Sequence, residues 1–258
     1  MAMRNAGQIT FALLAAAAVV LGPNLWAPTY PLQAGQHAIT IPSDSYVPAA
    51  IVINAGDTVT WINKDSDKHT AVTVPGAPEA FTLAAYPGKS VTHKFTKPGV
   101  YVYYCQEHST YDPQLRRVVA RKESDAFPIA MEGIIVVKGP GFTGGPSASI
   151  DVSAGAFSPD VVVVRAGGKV TWTNADTDRY RVTWTSVGSE EQGVGASAGA
   201  PRLDLAAGKG QTATFGQAGV YLFYCELHAT YNGKLGLAAA NKGARTFPVS
   251  MEGYVIVL

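Results

Sequence analysis

The chain is written twice. Residues 46–61, Y-V-P-A-A-I-V-I-N-A-G-D-T-V-T-W, recur at 157–172 as F-S-P-D-V-V-V-V-R-A-G-G-K-V-T-W, so that Pro48 meets Pro159, Gly56 meets Gly167 and Trp61 meets Trp172. Farther along, F-T-K-P-G-V-Y-V-Y-Y-C (95–105) recurs as F-G-Q-A-G-V-Y-L-F-Y-C (215–225), and F-P-I-A-M-E-G-I-I-V-V recurs as F-P-V-S-M-E-G-Y-V-I-V. The offset grows from 111 to 120 between the first and second blocks, which places nine extra residues in the second copy, most simply in the Gly- and Ala-rich stretch 188–201. Self-similarity on this scale means one domain used twice. The copies span roughly 36–138 and 149–258, and G-P-G-F-T-G-G-P-S-A (139–148) reads as the linker by its Gly and Pro content.

Within a copy the pattern is that of short strands. Ile51 to Ile53 is bounded by Pro48 and Gly56, and Thr58 to Ile62 alternates polar and apolar residues at period two. Val91 to Phe95 and Val100 to Tyr104 flank a Lys-Pro-Gly turn, and Ile134 to Val137 is a β-branched closing strand. No long segment repeats at helical period. Strands at this spacing predict an all-β sandwich in each copy, with the inward side chains, Trp61 among them, forming the core between two antiparallel sheets.

Charged residues make up 15% of the chain against a usual value of about 25%, and the net charge is +1. That balance offers no electrostatic attraction for nucleic acid or an anionic membrane surface. At the N-terminus, Arg4 precedes a largely apolar run over residues 9–22. The run is shorter than the ~20 residues of a membrane span, so residues 1–34 read as a secretory signal, with an uncleaved anchor as the alternative. Either way the domains are expected outside the cytoplasm, in the periplasm or extracellular space, with membrane attachment only through that segment.

Cys105 and Cys225, the two cysteines, occupy the same position in each copy, three residues before a histidine. A disulfide between equivalent interior positions of two domains is geometrically awkward. Thiolate and imidazole are instead a ligand pair for copper or zinc, and Cys105-x-x-His108 lets both side chains converge across a tight turn. His69 follows the strand ending at Ile62, and Met131 precedes the closing strand. His69, Cys105, His108 and Met131 are the residue types of a trigonal His2Cys copper site with a long axial methionine.

These motifs together, Y-x-P-x-x-I-x-I-x-x-G-D-T-V-T-W-x-N-x-D-x-x-x-H, G-V-Y-V-Y-Y-C-x-x-H and M-x-G-x-I-x-V, resemble the plastocyanin, amicyanin and azurin family of cupredoxins. The resemblance covers both copies. It implies two tandem Greek-key β-sandwich domains, a type 1 copper near one end, and redox partner proteins. It also implies that His69 is the ligand from the buried loop and that His108 presents its ring edge to solvent as the electron port.

Two departures stand out. Between His108 and Met131 lie 22 residues, Ser109 to Ala130, where the family usually has two to four; the second copy has the same insertion at 229–250. The insertion reads as a lid over the copper or a docking surface, and it leaves open whether Met131 ligates or only packs, with Tyr111 or Asp112 as the harder alternatives. In the second copy Cys225, His228 and Met251 are retained, but Tyr180 stands where the first has His69. A neutral phenol is a poor ligand. The second set, Tyr180, Cys225, His228 and Met251, is therefore expected to lack an ordinary blue site, so the chain takes one copper, or two if an unusual second site forms.

The remaining histidines, His37 and His93, have no ligand role supported by the repeat: His37 reads as a surface residue ahead of the first strand. Glu132 and Glu252 read as surface or hydrogen-bonding groups, and Arg116, Arg117, Arg121 and Lys122 as a solvated face or a docking patch for an acidic partner. With five histidines, Tyr104 and Tyr224 beside the cysteines and no His-x-His pair, a nitrite reductase or oxidase is not expected. The expectation is an exported electron carrier cycling Cu(II)/Cu(I), not an enzyme; a copper carrier without a redox role is the alternative. The sequence does not fix the oligomeric state.

Overall fold

The computed structural model describes residues 35–187 and 202–258. The N-terminal segment read as a signal or anchor, and the stretch 188–201 read as the site of the extra residues, lie outside the described residues. Among the described residues there is no helix, and the strands form two β-sandwiches.

The first sandwich contains β1 (Gln36–Ser43), β2 (Ser45–Val47), β3 (Ala50–Asn54), β4 (Thr58–Asn63), β5 (His69–Thr73), β6 (Thr82–Ala85), β7 (Ser90–Lys94), β8 (Gly99–Tyr104), β9 (Ser109–Asp112), β10 (Arg117–Ala120) and β11 (Glu132–Lys138). One sheet has the order β2-β1-β4-β7 and the other β3-β11-β8-β5-β6. Pairing is antiparallel except for β1 with β4 and β3 with β11. Alternate residues of β4, β8 and β11 meet between the sheets: Val59, Trp61, Tyr101, Tyr103, Ile135 and Val137 are all buried there. Gly133 lies opposite Tyr103 in the β8–β11 ladder, and a Cβ on it would collide with the Tyr103 ring, so the M-E-G motif keeps a glycine to admit that aromatic.

The second sandwich repeats this with β12 (Gly145–Ser153), β13 (Ala156–Ser158), β14 (Val161–Asn174), β15 (Tyr180–Val187), β16 (Arg202–Leu205), β17 (Gly210–Phe215), β18 (Gly219–Cys225), β19 (Ala229–Asn232), β20 (Leu237–Ala240) and β21 (Glu252–Val257). β12 begins at Gly145, inside the stretch read as a linker. β14 runs unbroken through the positions of both β3 and β4, pairing β21 with its first part and β12 and β17 with its second.

A third buried cluster lies between the sandwiches. Ile134 and Val136, on the outer face of β11, pack with Val220, Leu222 and Tyr224 of β18 and Tyr254 and Ile256 of β21. The closing strands are therefore covered on both faces, which is why they are continuous apolar runs rather than alternating ones. The interface has an approximate dyad: Phe127 and Phe247, equivalent residues of the two copies, meet edge to face with ring centres 5.8 Å apart.

The insertions build this interface. The β9–β10 hairpin sends Arg117 into the second sandwich, where Nη1 donates to the Ser250 carbonyl at 2.7 Å, Nη2 donates to the Glu252 carbonyl, and Nε faces Asp160 at 3.4 Å. The β19–β20 hairpin returns the contact, packing Leu237 and Ala238 with Ala49 and Ala50 of the first sandwich. Arg117 thus belongs to neither a solvated face nor a docking patch. Its side chain is only 11% exposed, because the backbone carbonyls that hold it lie more than a hundred residues away in sequence. Glu132 and Glu252 point into the same region, and burial pushes both carboxyls well above the usual range, with the charge of Glu252 adding to the shift at Glu132.

Candidate metal centre

The buried Asn63 at the end of β4 ties the loop that delivers the first histidine. Its Nδ2 donates to the carbonyls of Asp67 and Ala85 at 2.7 and 2.8 Å, and its Oδ1 accepts from the Asp65 amide at 2.9 Å. His69 then opens β5 paired to Ala85, with no exposed surface. Cys105 follows the last residue of β8, and His108 arrives one tight turn later, as Ser109 N donates to the Cys105 carbonyl at 2.9 Å.

The three side chains meet. Cys105 Sγ is 3.8 Å from His69 Nδ1 and 3.5 Å from His108 Nδ1, and one ligand atom from each residue lies within 4.8 Å of the others. Both imidazoles thus turn Nδ1 to the sulfur. Each turns Nε2 to a carboxylate: His69 to Asp65 at 2.9 Å, and His108 to Asp44 at 3.2 Å. Carboxylates behind ligating imidazoles fix the tautomer and the ring orientation. The sequence reading did not find Asp44 or Thr70. Asp44 is buried and accepts from Ser124 Oγ and the Asp125 amide, both at 2.7 Å, so the insertion anchors it. Thr70 aims its amide at Cys105 Sγ from 3.3 Å. Burial pushes the Cys105 thiol up, but hydrogen bonds from His69, Thr70 and His108 outweigh it and bring the group down to about 6.

The expected solvent-facing edge of His108 is covered. Its side chain is 13% exposed, and Asp44 closes the Nε2 end. Met131 is fully buried in the same cluster as Cys105; the Cys105 amide donates to the Met131 carbonyl at 3.0 Å, and the Met131 amide to Ser109 Oγ at 2.8 Å. Both cysteines are free thiols. His37 lies within β1 rather than ahead of it and bonds Asp57 at 3.0 Å, while His93 packs against the rings of Phe81 and Phe95.

A buried thiolate between two carboxylate-backed imidazoles suits a soft, redox-active cation. The family model of copper-binding proteins of the plastocyanin/azurin family matches residues 37–112 and 147–238. The chain belongs to that family. It is 35% identical over 72 residues to a plastocyanin of Scenedesmus fuscus, covering 24% of this chain and 74% of that protein. It is 38% identical over 72 residues to a chloroplastic plastocyanin of Tetradesmus obliquus, covering 24% of this chain and half of that one. Among solved structures, Cu(I) forms of two amicyanin variants, one with methionine changed to glutamine and one with methionine changed to alanine, match with TM-scores of 0.31 and identities of 23% and 24%; each match covers 42% of this chain and 87% of the amicyanin. Copper is the metal of this two-domain cupredoxin, and electron transfer is the general work of its family.

The cupredoxin's second set is arranged differently. His228 Nδ1 is 3.3 Å from Cys225 Sγ, and Arg181 N takes the place of Thr70 N at 3.4 Å. Tyr180 is buried at the His69 position, and its hydroxyl is engaged elsewhere: it donates to Asp176 at 2.7 Å and accepts from Gly155 N at 3.0 Å. Gly155 stands where the first copy has Asp44, and Asp176 where it has Asp65. Burial, with the Asp176 carboxylate next, pushes the Tyr180 phenol up to about 12. Without a second imidazole, burial also pushes the Cys225 thiol up and the His228 ring down. The two sets thus differ in charge: the first favours a thiolate, the second a neutral thiol beside a neutral imidazole.

Proposed function

We propose that this cupredoxin is an exported electron carrier with a type 1 copper held by His69, Cys105, His108 and Met131. The observation that carries the reading is the convergence of two Nδ1 atoms on one buried thiolate, each imidazole locked from behind by a carboxylate. Copper held there supplies a one-electron couple between Cu(II) and Cu(I). The chain supplies a cage that resists rearrangement: His69, Cys105 and Met131 have no exposed surface, and Asn63, Asp65, Asp44 and Thr70 fix the donors by hydrogen bonds. The Thr70 amide withdraws charge from the sulfur, and the surrounding Tyr46 and Tyr103 exclude water; both tune a potential. Exchange with a redox partner protein runs through the exposed turn at Gln106 and Glu107, since Asp44 covers the His108 edge.

Export to the periplasm or beyond rests on the apolar run at residues 9–22. The carrier reading over an enzyme rests on His37 and His93, which are engaged by Asp57 and by phenylalanine rings. The experiment is a visible spectrum of the copper-loaded protein with cysteine variants. An intense thiolate-to-Cu(II) band that survives Cys225→Ser and is lost in Cys105→Ser supports the reading. A colourless Cu(II) protein that surrenders its metal to an acceptor favours copper carriage without a redox role.

A further inference from the structure

We propose that the second sandwich is a Cu(I)-selective site formed by Cys225, His228 and Met251. The inference stands on its own residues and holds whether or not the first set is a type 1 centre. His228 Nδ1 already faces Cys225 Sγ at 3.3 Å. Met251 is fully buried in the same cluster as Cys225, and the Cys225 amide donates to its carbonyl at 3.1 Å. Arg117 of the first sandwich grips the carbonyls of Ser250 and Glu252, the residues on either side of Met251, and so fixes its backbone. A thiolate, a thioether and one imidazole form a soft set that selects Cu(I).

Tyr180 decides against Cu(II). Where the first sandwich offers an imidazole nitrogen, the second offers a phenol whose oxygen is engaged twice, by Asp176 and by Gly155 N. Arg245 reinforces this by pairing with Asp176 at 3.3 Å. The harder donor that would stabilise the oxidised ion is thus withdrawn, while the three soft-to-borderline donors remain. Binding changes no oxidation state: Cu(I) enters, the Cys225 S–H bond is replaced by an S–Cu bond, and one proton leaves. Leu227, 44% exposed in the turn between Cys225 and His228, marks where the site approaches the surface.

The test is an anaerobic titration of the full chain with Cu(I) in competition with bicinchoninate. The wild type is expected to take two equivalents, and Cys225→Ser and Cys105→Ser one each. Oxidation should leave the thiolate-to-Cu(II) band of Cys225→Ser equal to that of the wild type, which also verifies that the variant is folded. Met251→Leu should weaken the Cys225-dependent equivalent by roughly tenfold or more. Equal Cu(I) loading of wild type and Cys225→Ser, or displacement of the Cys225-dependent equivalent by stoichiometric Zn(II), overturns the proposal. Failure of the first-sandwich reading is seen separately, as full Cu(I) loading of Cys105→Ser.

Discussion

The Cys105 amide donates to the Met131 carbonyl at 3.0 Å, although 25 residues separate them in sequence. The bond continues the β8–β11 ladder one step beyond the pair Tyr104–Glu132. The insertion therefore leaves and re-enters at neighbouring points of one antiparallel pair, and its length does not matter to where Met131 lands. The second copy has the same bond between Cys225 and Met251 at 3.1 Å.

Arg117 ties the two sandwiches together through the Ser250 and Glu252 carbonyls and Asp160. Arg117→Ala leaves two part-buried carbonyls and Asp160 without this donor, and should cost about 2–3 kcal/mol. Urea denaturation should show a lower midpoint, or separate unfolding of the two sandwiches. A variant as stable as the wild type would show the insertions do not join them.

Asp44 holds His108 from behind. Asp44→Asn keeps the size but removes the charge, and should lower copper affinity by about 10–100-fold. Competition with a chelator checks this; unchanged affinity would mean that the carboxylate only anchors Ser124 and Asp125.

Tyr180→His should restore a second imidazole beside Cys225 and His228. Copper-loaded variant protein should then show a charge-transfer band roughly twice as intense per chain as the wild type, on the ligand preferences of Cu(II). Tyr180→Phe, which removes only the hydroxyl, should leave the band unchanged.

The interfacial carboxyls give stability a pH dependence. Both folded pKa values are raised above the ordinary 4.5, so the folded protein binds more protons than the unfolded chain above that value. The stability they contribute is greatest below about 4.5 and is lost as pH rises toward neutrality. Thermal unfolding of the metal-free protein should show this decline, and Glu132→Gln with Glu252→Gln should flatten it.

The sequence made the strands and the ligand types readable for physical reasons that are local. Period-two alternation in β4 marks a half-buried strand, and Cys105-x-x-His108 is a turn that any sandwich end accommodates. The interface was not readable. The runs Ile134 to Val137 and Tyr254 to Val257 signal burial on both faces, but not what covers the second face. Arg117 sits among four basic residues and looks solvated, because its carbonyl partners belong to the other copy. Asp44 gave no signal either, since its link to His108 exists only once the β1–β2 turn and the insertion meet. The same contact hides the histidine edge that the family resemblance implied would be open.

X-ray absorption at the copper edge, on Cys225→Ser protein loaded with one equivalent and measured in both oxidation states, probes the His69–Cys105–His108 cage itself. One thiolate sulfur and two imidazole nitrogens are expected in each state, with bond lengths that barely change on reduction. A shell of oxygen and nitrogen without a short sulfur, or one that rearranges between the two states, would contradict it.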